Sequence, residues 1–244
     1  LRRQRQMCIR DRFYGYIAEG YFQSEEEIKK SPRQMRELAP GDIKYKDLND
    51  DGVIDANDQC YLGKSWFPSW SYGMGFNINY HNFDLALFFQ GVSDVSIMAN
   101  GGSIDTGNGD WGASGVGIVP FTGMGLNPSN VITKALDRWT ADNPRADAWY
   151  PRMTANATTN DNNYVNSTHW LKDGSYLRLK QASLGYTLEN KKLMDKGIEY
   201  LYFYLSGQNL LTFSKFKLWD PELGSNGAKY PLSRMVTLGM RVSF

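Results

Sequence analysis

Residues 71–92 constrain this fold more than any other stretch: SYGMGFNINY, a two-residue join at His81-Asn82, then FDLALFFQGV. In the first arm Tyr72, Met74, Phe76, Ile78 and Tyr80 alternate with Gly73, Gly75, Asn77 and Asn79. In the second, Phe83, Leu85, Leu87 and Phe89 alternate with Asp84, Ala86, Phe88 and Gln90. Successive strand side chains point to opposite faces, so the pattern reads as a β-hairpin with one apolar face and one small or polar face. Each arm has about ten residues, the length a tilted strand needs to cross a bilayer. A soluble sandwich would bury the apolar face on a second sheet. A membrane strand pair would set it in hydrocarbon, with the Gly/Asn face toward a wet lumen. Large aromatics opposite a Gly/Asn lining favour the membrane.

The totals agree with β structure. Aromatic residues make up 14% of the chain and charged residues only 22%, a balance that suits strands with interfacial aromatics. No run of eighteen apolar residues exists, so a transmembrane helix is not expected. A mean hydropathy of −0.50 does not argue against a barrel, because half of each barrel strand faces water. The net charge of +1 implies no preference for nucleic acid. Residues 1–12 hold five Arg and one Asp, or +4, leaving −3 for the rest. LRRQRQMCIRDR has no periodicity and no apolar signal-peptide core, and is expected to be a non-native extension to a unit spanning residues 13–244. Cys8 and Cys60 allow at most one disulfide. With only His81 and His169, zinc or histidine-based catalysis has little to draw on.

Along the chain, Phe13–Ile17 could end a strand, and Ser24-Glu25-Glu26-Glu27 reads as a capping box opening a short helix. Residues 41–63 follow, GDIKYKDLNDDGVIDANDQCYLG. Asp47, Asn49, Asp51, Asp55 and Asp58 fall at positions 1, 3, 5, 9 and 12 of a calcium loop. Gly52 takes the sharp turn at position 6, and Val53 offers a carbonyl at position 7. Aspartate in place of glutamate at position 12 shortens the reach. The alternative is a metal-free turn held by side-chain-to-backbone hydrogen bonds. Trp66-Phe67-Pro68-Ser69-Trp70 suits an interfacial girdle or ordinary packing. Residues 93–170 show no strand pattern, only a helix expected from Ser129 to Thr140 with Val131, Ala135, Leu136 and Trp139 on one face. A loop of that length fits an outer-membrane barrel better than a compact soluble domain.

Strand pattern returns at Tyr176–Leu188, where Leu177 and Leu179 are out of phase with Ala182, Leu184, Tyr186 and Leu188. That slip predicts a bulge near Lys180-Gln181. Tyr200–Leu210 is a further strand, with Leu201, Phe203 and Leu205 outward. The chain closes on Val236, Leu238, Met240, Val242 and Phe244 alternating with Thr237, Gly239, Arg241 and Ser243. A final strand ending in Phe244 looks like the signal read by the outer-membrane barrel-assembly machinery.

As an ordered set, GDIKYKDLNDDGVIDANDQ, YGMGFNINYHNFDLALFFQGV, DGSYLRLKQASLGYTL, FYLSGQNLLTF and the Phe-terminated strand resemble the C-terminal part of the SusC/RagA family of TonB-linked outer-membrane transporters. The resemblance implies an all-β fold, an antiparallel up-and-down transmembrane barrel of about 22 strands with an internal plug, of which this chain holds the last five or so. It implies import of oligosaccharides or peptides, a SusD-like surface lipoprotein as partner, energy from TonB, and outer-membrane lipid around the barrel. Five strands close no barrel, so the chain is expected to be part of a longer protein. With Phe244 periplasmic, the His81-Asn82 join and the turn at 189–198 are periplasmic, and residues 18–70, 93–170 and 212–232 are extracellular. The expected membrane-facing set is Tyr72, Met74, Phe76, Ile78, Phe83, Leu85, Leu87, Phe89, Val236, Leu238, Met240 and Val242. Calcium, if bound, would be structural. Trp111, Trp149, Trp170 and Trp219 in the loops are candidates for substrate contact. The competing reading is a secreted, calcium-stabilised carbohydrate-binding or adhesive β module. No acid/base pair, nucleophile motif or phosphate loop supports an enzyme.

Overall fold

Long strands form where the sequence alternates. The computed structural model describes residues 12–100, 133–153, 162–195, 197–225, 230 and 232–244. Its strands are β1 (Arg12–Gly15), β2 (Ala18–Tyr21), β3 (Ile43–Tyr45), β4 (Cys60–Ser65), β5 (Trp70–Tyr80), β6 (Phe83–Ser93), β7 (Ser96–Met98), β8 (Leu171–Asp173), β9 (Tyr176–Leu188), β10 (Tyr200–Ser214) and β11 (Met235–Ser243). The five long ones form one antiparallel sheet in the order β11-β10-β9-β6-β5. The short ones pair as β1 with β4, β2 with β3 and β7 with β8.

Register aligns the alternating side chains into rows across the sheet. One row runs Tyr80, Phe83, Tyr186, Phe203 and Met240; the next runs Ile78, Leu85, Leu184, Leu205 and Leu238. Between them, on the other face, lie Asn79, Asp84, Gly185, Tyr204 and Gly239. Asn77, Ala86, Ser183, Ser206 and Thr237 form a second polar row. The hairpin turns at His81, in the left-handed region at φ 54°.

The phase slip in β9 is a bulge. Phe88 pairs with Gln181 and Phe89 with Leu179, which leaves Lys180 as the extra residue. Across the other edge, Gln208 pairs with Gln181 and Leu211 with Leu179, with Asn209 left-handed at φ 53°. One extra residue swaps the faces of everything beyond it. Leu177 and Leu179 therefore join the same face as Ala182 and Leu184. β10 continues past the expected Leu210, and Leu211 and Phe213 extend the apolar face.

At the end of the sheet away from His81-Asn82, the described loop segments fold on one another. Phe13, Tyr16, Tyr21, Ile43, Tyr45, Ile54 and Leu62 share a core with Met98, Trp139, Tyr150, Tyr164 and Trp170. Hydrogen bonds stitch the two halves. Tyr21 Oη donates to the Ala148 carbonyl at 2.8 Å and Tyr45 Oη to the Asn162 carbonyl at 2.6 Å, while within the second half Trp170 Nε1 donates to the Asn163 carbonyl at 2.7 Å. Asn163 Oδ1 accepts from the Ile43 N–H at 2.8 Å. The expectation of no strand pattern over 93–170 is corrected only in part: among the described residues the stretch holds β7. Buried polar groups need partners, and Tyr21, Tyr45 and Asn163 find theirs more than a hundred residues away, while Trp170 finds its own seven residues back.

Two local expectations also change. The helix expected over 129–140 is, among the described residues, a single 3-10 turn at Thr133–Leu136, with Leu136 exposed rather than inward. Trp139 N–H bonds the Tyr150 carbonyl at 2.9 Å, which diverts the chain from helix into a bridge. Residues 129–132 lie outside the described residues. At Glu25–Lys30, Ser24 caps as expected by accepting from Glu27 N–H at 3.3 Å. Glu27, however, reaches back to Gln23 N–H at 2.9 Å, one residue before the capping-box position.

Candidate functional site

The outward apolar face is the first functional feature. Tyr72, Met74, Phe76 and Ile78 on β5 and Val236, Leu238 and Met240 on β11 are exposed, with Leu238 at 79%. On β6, Phe83 is exposed, while Leu85, Leu87 and Phe89 are half-buried between flanking strands; Val242 is also half-buried. No second sheet packs on this face among the described residues. A sandwich module would bury it. Five strands of unpaired Leu, Phe, Met and Ile form a patch that water penalises and hydrocarbon accepts. Phe244 follows β11 and is exposed.

The opposite face is polar and closely fitted. Tyr202 Oη donates to Asp84 Oδ2 at 2.9 Å, and the Arg241 guanidinium lies 5.9 Å from the Tyr202 ring centre. Tyr202 and Tyr204 stack at 6.0 Å. Glycine is needed beneath them: a Cβ at Gly239 would run into the Tyr204 ring, and one at Gly185 into the Tyr202 hydroxyl and the Asp84 carboxylate. At the loop end, Arg178 is buried on β9 and pairs with Asp220 and with Glu222 Oε2, the latter at 3.3 Å. Asp220 also caps the Pro221–Leu223 turn, so one carboxylate ties a loop to the sheet.

The acidic turn has the local geometry of the side-chain-to-backbone alternative. Asp47 accepts from Asp50 N–H at 2.7 Å and Gly52 N–H at 2.8 Å; Asn49 Oδ1 accepts from Asp51 N–H, and Asp51 Oδ1 from Val53 N–H. Asp55 caps the Ala56–Asp58 turn with Asp58 in a reciprocal capping box. Asp58 is fully buried and accepts from Leu48 N–H and Asp55 N–H, both at 2.8 Å. Burial would raise its pKa, but the N–H groups of Asp55 and Leu48 outweigh that and hold it below the ordinary carboxylate value. Among the described residues no three His, Cys, Asp or Glu side chains gather as a metal shell. The side-chain oxygens of Asp47, Asn49, Asp51, Asp55 and Asp58 each accept from the turn's own N–H groups, and Val53 supplies one of those N–H groups.

The candidate substrate aromatics separate. Trp170 is wholly buried in the loop core, where stacking on a ligand would require unfolding. Trp219 packs edge-on against Phe216 at 4.6 Å and donates from Nε1 to the Gly224 carbonyl at 2.8 Å. Trp149 is half-buried beside a cleft, with Lys172 Nζ 5.4 Å from its ring centre. Trp111 lies outside the described residues. Sequence reading missed the lysines of that cleft, Lys134, Lys172, Lys215 and Lys217. Only the alternation Lys215-Phe216-Lys217-Leu218 hinted at them, because the others come from distant segments.

Comparison with known proteins agrees with this arrangement. No protein-family model matches the chain. Two TonB-dependent receptors of Formosa agariphila match over 95% of this chain at 30% and 28% identity. The likeness is to TonB-dependent receptors. The chain spans 22% of the length of each of these receptors. Among solved structures, the RagAB peptide transporter superimposes over 96% of this chain with a TM-score of 0.64 at 22% identity. The RagAB peptide importer in its open-open and closed-closed states gives TM-scores of 0.61 and 0.62. Each covers 22–23% of the solved chain, so the fold of this chain is that of one section of such a transporter. These relatives are receptors and transporters, not enzymes.

Proposed function

We propose that residues 13–244 serve as the C-terminal barrel section of an outer-membrane, TonB-dependent importer of the SusC type. The observation that carries this reading is the one-sided sheet: apolar rows across five strands, with Gly, Asn, Ser, Thr and Tyr rows between them. In this reading the apolar face meets lipid, the polar face lines the lumen or meets a plug, and the folded loops stand outside the cell. Cargo is an oligosaccharide or peptide, captured with a SusD-like lipoprotein and drawn through by TonB. Phe244 is the mark for barrel assembly. Calcium has a minor place in this proposal: it would reinforce the turn at 47–58, which its own hydrogen bonds already close.

The test is a cysteine scan of the complete receptor in a Cys60→Ser background. Cysteines at Ile78, Leu205 and Leu238 should react with a lipid-soluble maleimide and resist a charged one. Those at Asn77, Ser206 and Thr237 should do the reverse. Equal reaction of both sets with the charged reagent would sink the membrane reading in favour of a soluble module.

A further inference from the structure

A cleft of about 640 Å³ opens where four segments of the loop body meet. Its wall carries Lys134 from the Thr133–Leu136 turn, Lys172 from β8, and Lys215 and Lys217 just after β10. Asp173 is the sole carboxylate among the described lining residues. Lys134 is paired with Asp137 at 2.7 Å. Among the described residues, no carboxylate lies within ion-pair distance of Lys172, Lys215 or Lys217; Asp173 acts on Lys215 only at longer range. Lys172 Nζ donates to the His169 carbonyl at 2.7 Å, a neutral partner. Burial pushes the Lys172 pKa down, so its ammonium lacks solvation that an anion could replace.

Apart from Thr133, the remainder of the wall is apolar. Phe216 is buried and Leu218 half-buried between the lysines, with Trp149 near Lys172. A sugar ring needs a free aromatic face, yet Lys172 Nζ stands over the Trp149 ring, and Tyr150 and Trp170 pack against it in T-shaped contacts. What the cleft offers is ammonium groups interleaved with apolar side chains. Carboxylates alternating with apolar side chains complement that wall.

We propose that this cleft binds a short acidic peptide, with its carboxylates on Lys172, Lys215 and Lys217 and its apolar side chains against Leu218 and the cleft-lining edge of Phe216. The binding site stands on its own geometry; that the peptide is imported cargo rests on the transporter reading. Lysines act as point charges here, so attraction falls with ionic strength.

The experiment measures fluorescence anisotropy of the labelled pentapeptide Glu-Leu-Glu-Leu-Glu with the complete receptor in detergent. Binding is expected for this probe, weaker for hexagalacturonate and absent for Lys-Leu-Lys-Leu-Lys. Lys215 and Lys217 are exposed, so the double variant Lys215→Gln, Lys217→Gln should fold normally and bind about tenfold more weakly, each lost surface pair contributing part. An unchanged affinity in that variant overturns the site, as does no binding of the acidic probe. Tighter binding of hexagalacturonate overturns the peptide assignment. Failure of the transporter reading is a separate outcome: the cysteine scan would show the sheet in water while the peptide still bound the cleft.

Discussion

Acidification should loosen the loop body through His169. Its Nε2 lies 3.1 Å from the Trp149 carbonyl and 3.4 Å from Tyr21 Oη. A carbonyl only accepts, so Nε2 carries the proton of the neutral ring. Trp170 crowds the imidazole at 4.7 Å and Tyr21 at 5.6 Å. Burial, helped by the nearby Lys172 ammonium and opposed by the Trp149 carbonyl, pushes the pKa from 6.5 down to about 4. The opened state therefore binds a proton that the closed state refuses, and stability falls as pH drops through 6.5 until about 4, below which the penalty is constant. The full shift corresponds to about 3 kcal/mol. Part of the ring reaches the surface, so a loss of roughly 1–3 kcal/mol is expected. Asp58, Asp137 and Asp173 have lowered pKa values, so their contributions are lost only below the ordinary aspartate value of 3.8. The window from 4.5 to 6.5 thus isolates the histidine. Hydrogen exchange of the Tyr150 and Trp170 amides in the complete receptor, corrected for intrinsic rate, reads the opening. His169→Gln keeps a donor for Trp149 and should flatten the slope. Equal slopes in wild type and variant would refute the reasoning.

Three further outcomes follow from the geometry. Leu238→Arg puts a charge on the apolar face and should cost roughly 2–4 kcal/mol if it lies near the bilayer midplane, whereas Thr237→Arg, one residue away, should assemble; heat-modifiable gel mobility of the membrane fraction compares them. Asp220→Ala leaves the buried Arg178 guanidinium with only Glu222 and removes the cap of the Pro221–Leu223 turn; a loss of about 3–5 kcal/mol is expected, seen as faster proteolysis after Lys215 or Lys217, and Arg178→Met in the same chain should recover part of it. Calcium added to the receptor should slow exchange at Asp50–Val53 only modestly, and a chelator should leave the turn closed, because Asp47 and Asp51 already cap it; collapse of the turn on chelation would show that the metal holds it.

The sheet was readable because its pairing is periodic. Tyr72–Ile78 and Phe83–Phe89 alternate without error, and the slip at Leu179 to Ala182 could mean only an extra residue once both halves had to share a face. The loop body was not readable for the opposite reason. Its contacts join Tyr21 to Ala148 and Ile43 to Asn163, partners with no spacing rule. Trp170 shows the consequence: a loop tryptophan can be read as a binding residue until its indole N–H is found on the Asn163 carbonyl. The acidic turn lay between these cases. Its spacing is that of a calcium loop, but the same oxygens suit the turn's own N–H groups, and spacing alone does not choose between the two.

The bulge at Lys180 governs how such a chain can change. In the sheet, every residue after an insertion is turned over, so a lone added residue in β5 would send Phe76 and Ile78 to the polar side. Lengths there can change only by pairs, or by a second slip that restores phase, as Lys180 does for Leu177 and Leu179. Loops obey no such parity. A lineage of these chains can lengthen its loops residue by residue, while the sheet behaves like a ratchet with two-residue teeth. Deleting Lys180 alone would jump one tooth halfway, and the outer half of β9 would present Arg178 to the side where Leu177 and Leu179 now stand.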